Sequence, residues 1–216
     1  MVLDPGSLRV YVLTSGDFSG RSHEDVAQAA IEGGATAVQL RAPELADPEL
    51  LPIALRLAAR CRRAGVLFVM NDRIAVAQAC GADGVHVGQD ARASDVRGRL
   101  AAGRVLGVSV QDAAQARIAE AAGADYLGVT VWPSATKPEA SARGLEGLRD
   151  VLAAVSVPVV GIGGIGPVNA PEVLATGAAG VAVISAVAAA PDPVATVRHL
   201  RRVVDAVRTI EAARRG

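Results

Sequence analysis

The feature that most constrains this chain is an eightfold alternation. Short apolar runs, many of them β-branched, recur between Ala-rich stretches of helical period, the pattern of βα units feeding a parallel sheet. Eight such runs stand in order: Val10–Thr14, Ala37–Arg41, Leu67–Met70, Gly84–Val87, Val105–Ser109, Tyr126–Val129, Val157–Gly161 and Gly180–Ile184. A doubly wound sheet usually has fewer strands, and even spacing without a long insertion points to closure into a barrel. The length of 216 residues agrees, since a complete barrel of this kind takes roughly 200–250 residues. The expectation is an α/β chain forming a single (β/α)8 TIM-barrel domain over residues 1–216.

A weak internal repeat supports that count. Gly34-Ala35, Gly81-Ala82, Gly123-Ala124 and Gly177-Ala178 each lead into an even-numbered strand. Each Gly can end the preceding helix in the left-handed conformation that other residues avoid. No chemistry is assigned to them. The longest irregular stretch, 132–143, follows strand six, and loops of that length in a compact domain are often functional.

Composition narrows the function classes. Apolar residues make up 51% of the chain and aromatics 2%, so the core is large and aliphatic. Lys plus Arg and Asp plus Glu are both 22, so no net field gathers a nucleic acid or an anionic membrane, and an anionic ligand must be met by a local pocket. No apolar run approaches the roughly 20 residues that span a bilayer. The N-terminus has no basic segment followed by an apolar one, so a cytoplasmic protein is expected. Cys61 and Cys80 lie in apolar helical patterns without a Cys-x-x-Cys spacing, and read as buried, reduced thiols. The oligomeric state is left open, a homo-oligomer included.

In barrels the active site is built from the loops after the strands, so polar residues at strand ends carry the functional information. Strand two ends in Gln39-Leu40-Arg41, strand three in Asn71-Asp72-Arg73, strand four in Gln89-Asp90 and strand five in Ser109. Strand six is followed by Pro133-Ser134-Ala135-Thr136-Lys137, strand seven by Gly161-Ile162-Gly163-Gly164 and strand eight by Ile184-Ser185. The last two loops are the usual phosphate cup of this fold, and the glycines let backbone N–H groups approach an anion. Asn71 and Asp72 offer oxygen ligands suited to Mg²⁺, although an Asp at a helix start also suits an N-cap. Arg41 and Lys137 can face a diphosphate, one as a fork and the other as a point charge. His86 reads as a core histidine, and His23 and His199 as helix-surface residues. Trp132 suits either packing on a bound ring or covering the barrel mouth.

The ordered set of these motifs resembles the thiamine phosphate synthase and thiazole tautomerase family. It runs through Tyr11-Val12-Leu13-Thr14, Val38-Gln39-Leu40-Arg41, Asn71-Asp72-Arg73, the stretch from Gly81 to Gln89, Gly107-Val108-Ser109, Pro133 to Pro138, and Val160 to Ile165. The resemblance implies a transferase that condenses hydroxymethylpyrimidine diphosphate with thiazole phosphate, releasing pyrophosphate. By motif position it implies Arg41, Ser109 and Lys137 as catalytic residues, with Gln39 and Asn71 joining them on the pyrimidine diphosphate. It implies Ser134, Thr136, Gly163, Gly164, Ile184 and Ser185 around thiazole phosphate, and Asp72 on Mg²⁺. The partners implied are small phosphorylated substrates.

This chain departs from the family pattern twice. The Arg-x-Lys after strand two is Arg41-Ala42-Pro43, which removes a cation. The second metal-binding Asp falls on Ala91, with Asp90 one place early as the substitute metal ligand. Both losses fall on the metal–diphosphate half. A metal-independent thiazole phosphate tautomerase is therefore the alternative, yet that branch carries a His two residues after the strand-five Ser, where this chain has Gln111. A barrel that only binds a phosphate ligand is the reading from outside enzymology.

Overall fold

The computed structural model describes residues 3–15, 20–134 and 142–215. Eight parallel strands close into a barrel in sequence order: β1 (Val10–Leu13), β2 (Ala37–Leu40), β3 (Leu67–Asn71), β4 (Gly84–Val87), β5 (Val105–Val110), β6 (Tyr126–Thr130), β7 (Val159–Ile162) and β8 (Gly180–Val183). Pairing of Tyr11 with Ala182 closes β1 onto β8. The helices are α1 (His23–Gly33), α2 (Asp47–Ala64), α3 (Ile74–Cys80), α4 (Ala93–Arg99), α5 (Ala113–Ala121), α6 (Gly144–Ala154), α7 (Ala170–Leu174), α8 (Ser185–Ala188) and α9 (Pro193–Arg215). This is the TIM barrel expected.

Strand bounds move by one or two residues from the expected ones, most at β7. There Val157 donates its N–H to the Glu120 carboxylate at 3.1 Å, and Pro158 has no N–H to give to a ladder, so pairing starts at Val159. Thr14, Arg41, Ser109 and Ile184, expected as last strand residues, mostly fall just beyond the ladder, whereas β5 continues through Ser109 to Val110.

Both faces of the sheet are covered, which is why the strands read as unbroken apolar runs. Val10 and Val12 join the layer between barrel and helices, whereas Tyr11 and Leu13 point into the barrel with Ala37, Val69, Val105, Tyr126, Val160 and Ala182. Leu8, on a 3-10 turn over Pro5–Leu8, is fully buried against that interior at the N-terminal end, where a Cβ on Gly180 would strike its carbonyl. The barrel is thus plugged below and open above.

The Gly-Ala repeat has a structural cause and a third member. Gly34, Gly81, Gly123 and Gly177 all have positive φ, between 70° and 99°. In three of the four units the next polar residue latches the preceding strand: Thr36 Oγ1 accepts from Val10 N–H at 2.9 Å, Asp83 from Phe68 N–H at 2.8 Å and Asp125 from Leu106 N–H at 2.7 Å. Each such bond contributes about 1 kcal/mol or somewhat more where a carboxylate accepts.

Cys61 and Cys80 are buried and unpaired as disulfides. Burial pushes the Cys61 thiol up to about 12 and raises that of Cys80, so both stay as inert thiols. Among the described residues no helix is long and apolar enough to cross a membrane.

Candidate active site

One pocket opens at the C-terminal end of the barrel. Its wall includes Gln39 and Arg41 from β2 and its loop, Asn71 from β3, Ser109 from β5, Ser134 after β6, Gly163 and Gly164 after β7, and Ile184 and Ser185 after β8. Six strand ends that are distant in sequence therefore deliver most of the expected residues to one place. Thr136 and Lys137 lie outside the described residues.

The β7–β8 side is made of backbone. Gly163 and Gly164 have φ of 90° and 62°, conformations that cost a residue with a Cβ about 1 kcal/mol or more. Close approach adds a second reason: Cβ atoms there would meet the carbonyl oxygens of Trp132 and Pro133, at 3.0 Å in the case of Gly164. Trp132 itself packs, partly buried, against the outer core. Helix α8 starts at Ser185, which lines the same pocket wall; the Val187 and Ala188 N–H groups donate to the Ile184 carbonyl at 3.0 and 2.9 Å, and those of Ser185 and Ala186 have no partner within the helix.

The β2–β4 side is made of side chains. Arg41 is the one cation among the described residues that line the pocket. Its backbone N–H donates to Thr14 Oγ1 at 3.2 Å, and the same Oγ1 lies 2.9 Å from His23 Nδ1, whose Nε2 is 2.7 Å from Glu44 Oε1. His23 is thus buried, 6% exposed, and not the helix-surface residue expected. Periodicity on α1 could not reveal it, because its partners come from β1 and the β2 loop. Burial works against charge on Glu44, yet its own backbone N–H, His23 and Arg41 hold its carboxyl below the usual range.

Asp72 is the one non-glycine residue with positive φ, 59°, among the described residues. It does not cap α3; the preceding position of that helix is Arg73, and no side chain caps it. Instead Asp72 Oδ1 accepts from Gly88 N–H at 3.3 Å, turning the carboxylate toward the β4 loop. Asn71 donates through Nδ2 to the His86 carbonyl at 3.2 Å, which leaves its amide oxygen to other partners. Asp90 is exposed on the turn after Gly88, whereas Ala91 packs against the core. Among the described residues no three His, Cys, Asp or Glu side chains cluster as a metal cage.

His86 is where sequence reasoning missed most. It is half-buried at the pocket floor rather than sealed in the core, with Nε2 3.0 Å from Ser109 Oγ and Nδ1 3.0 Å from the Tyr126 hydroxyl. His199 is exposed, as expected. Gln111 donates to Gln89 Oε1 at 2.6 Å, so its amide is engaged on the rim.

Comparison with known proteins agrees with this fold. The family model described as thiamine monophosphate synthase matches residues 10–187. A thiamine-phosphate synthase of Chloroflexus aurantiacus is 48% identical over 91% of this chain and 92% of its own. One of Moorella thermoacetica is 46% identical over 91% and 95%. The solved thiamine phosphate pyrophosphorylase of Pyrococcus furiosus superposes with a TM-score of 0.88 at 39% identity, covering 94% of this chain and 98% of that one.

Proposed function

This chain belongs to the thiamine monophosphate synthase family and is a transferase of the thiamine-phosphate synthase type, and we propose that its pocket divides that reaction between two walls. In the reaction the bond between the pyrimidine methylene carbon and the diphosphate oxygen breaks. Pyrophosphate leaves with the electron pair, and the thiazole nitrogen supplies the pair that forms the new C–N bond. The chemistry needs charge neutralisation of the leaving group more than a general base.

Arg41 and Lys137 neutralise the departing pyrophosphate. Gln39, Asn71 and Ser109 hold the pyrimidine half, with Ser109 beside the reacting carbon. Ser134, Thr136, Gly163, Gly164, Ile184 and Ser185 cradle thiazole phosphate. The observation that carries this reading is the convergence of Gln39, Arg41, Asn71, Ser109, Gly163, Gly164, Ile184 and Ser185 on one pocket.

Mg²⁺ suits the oxygen donors present. Asp72, its carboxylate turned toward the β4 loop, would hold the ion together with water and substrate phosphate oxygens, with the exposed Asp90 as a second, weaker candidate. When bound, the ion offsets negative charge on the diphosphate. The tautomerase alternative loses support because Gln111 cannot carry a proton at neutral pH and is tied to Gln89. The partners proposed are the two phosphorylated precursors in a cytoplasmic setting. Incubation with both precursors and Mg²⁺ should yield thiamine phosphate and pyrophosphate in equal amounts. Binding of thiazole phosphate without any product would overturn the synthase reading and favour a barrel that only binds.

A further inference from the structure

Five polar side chains cross the aliphatic interior of the barrel in one line. Gln39 Nε2 lies 2.6 Å from the Tyr11 hydroxyl, Tyr11 and Tyr126 hydroxyls are 2.9 Å apart, and His86 continues the line from Tyr126 to Ser109 at 3.0 Å on each side. The line passes through β2, β1, β6, β4 and β5 and uses both tyrosines of the chain. Room has been made for it: a Cβ on Gly107 would collide with the Tyr126 ring, and one on Gly128 would come within 3.2 Å of His86 Cε1.

We infer that this line is a directed hydrogen-bond chain in which Tyr126 and His86 act as positioning residues that force the Ser109 hydroxyl to donate into the pocket. The direction follows from counting protons. The Gln39 amide nitrogen can only donate, so Tyr11 accepts there and must spend its single proton on Tyr126. Tyr126 then spends its own on His86 Nδ1. A neutral imidazole with Nδ1 accepting carries its proton on Nε2, which donates to Ser109 Oγ. The Ser109 proton is left to point at substrate, where an acceptor such as a pyrimidine ring nitrogen receives it. Burial raises both phenols well above their ordinary range, so each keeps the proton that the count requires. A buried chain left unsatisfied at any link would cost far more than it contributes, which is why its order is fixed.

The inference deepens the assignment of Ser109 to the pyrimidine half and rests on that reading only for its kinetic arm. The chain has three histidines, so their imidazole nitrogens can be resolved and assigned with a His86→Gln spectrum. Long-range ¹H–¹⁵N correlation on the ligand-free protein at neutral pH should show His86 with a bare Nδ1 and a protonated Nε2. A proton on Nδ1, or on both nitrogens, overturns the proposal whatever the protein catalyses. In the kinetic arm, Tyr126→Phe keeps the ring but removes the link. It should lower kcat/KM for the pyrimidine diphosphate about fivefold, the effect of one hydrogen bond, and leave KM for thiazole phosphate unchanged. The same substitution in a Ser109→Ala background should have no further effect, because Tyr126 acts through Ser109. Full additivity of the two substitutions, or equal losses for both substrates, would mean that Tyr126 serves packing alone. If wild type makes no thiamine phosphate, the synthase reading falls, and the nitrogen spectrum still decides the chain.

Discussion

The two walls of the pocket are built from different material. The β7–β8 wall is backbone, two glycines at positive φ and the start of α8, and no side-chain substitution elsewhere removes its N–H groups. The β2–β4 wall depends on what individual rim side chains carry, and there Pro43 and Ala91 stand where the family pattern has a cation and a carboxylate. A backbone cradle resists erosion, whereas a side-chain cradle can lose a charge at one codon. That contrast predicts a synthase with firm hold on the monophosphate and a weakened hold on the metal diphosphate.

The sharpest way to break this contrast is to strip the side-chain wall further. With the strand-two Lys absent, Lys137→Ala should lower the rate at saturating substrate about a hundredfold, roughly 3 kcal/mol of leaving-group stabilisation. Steady-state kinetics showing a rise in KM with an unchanged saturated rate would reduce Lys137 to a binding residue.

The reverse experiment restores what the wall lacks. Pro43→Lys with Ala91→Asp should raise turnover at low Mg²⁺ about tenfold, one charge-assisted contact's worth of transition-state binding. No gain in a normally folded double variant would show that the β2–β4 wall is already complete.

On the backbone wall, Gly164→Ala puts a Cβ at φ 62° and 3.0 Å from the Pro133 carbonyl. KM for thiazole phosphate should rise about fivefold, with KM for the diphosphate unchanged, since the strain is of order 1 kcal/mol. Equal changes for both substrates would mean that the walls do not act separately.

The smallest effect expected is at His23, which ties Glu44 to Thr14 beneath the Arg41 backbone. His23→Gln should raise KM for the diphosphate about threefold and spare thiazole phosphate, in keeping with one net hydrogen bond of about 0.7 kcal/mol. An unchanged diphosphate KM would free Arg41 from that support.

Much of this was legible before the structure. Polar strand ends pointed to Gln39, Arg41, Asn71 and Ser109, and the glycine-rich turn after strand seven with the family motif pointed to Gly163, Gly164, Ile184 and Ser185; they meet in one pocket because barrel loops converge whatever their sequence separation. The interior chain was not legible. Alternation marks a face only where the other face meets water, and in β1 and β6 both faces are buried, so nothing singled out Tyr11 or Tyr126, and His86 read as a core histidine. Register decides which of them meet, and register is a property of the closed barrel. His23 escaped for a similar reason, its partners lying on other elements. Asp72 was ambiguous between cap and ligand until its φ of 59° and its bond to Gly88 turned it away from α3.

The most direct test of the contrast between walls is a set of initial rates with both precursors across a range of Mg²⁺ concentrations. The account predicts thiamine phosphate formation in which KM for the pyrimidine diphosphate falls as Mg²⁺ rises while KM for thiazole phosphate stays constant. A diphosphate KM that is already low without Mg²⁺ and does not move, or a thiazole phosphate KM that follows the metal, would contradict it.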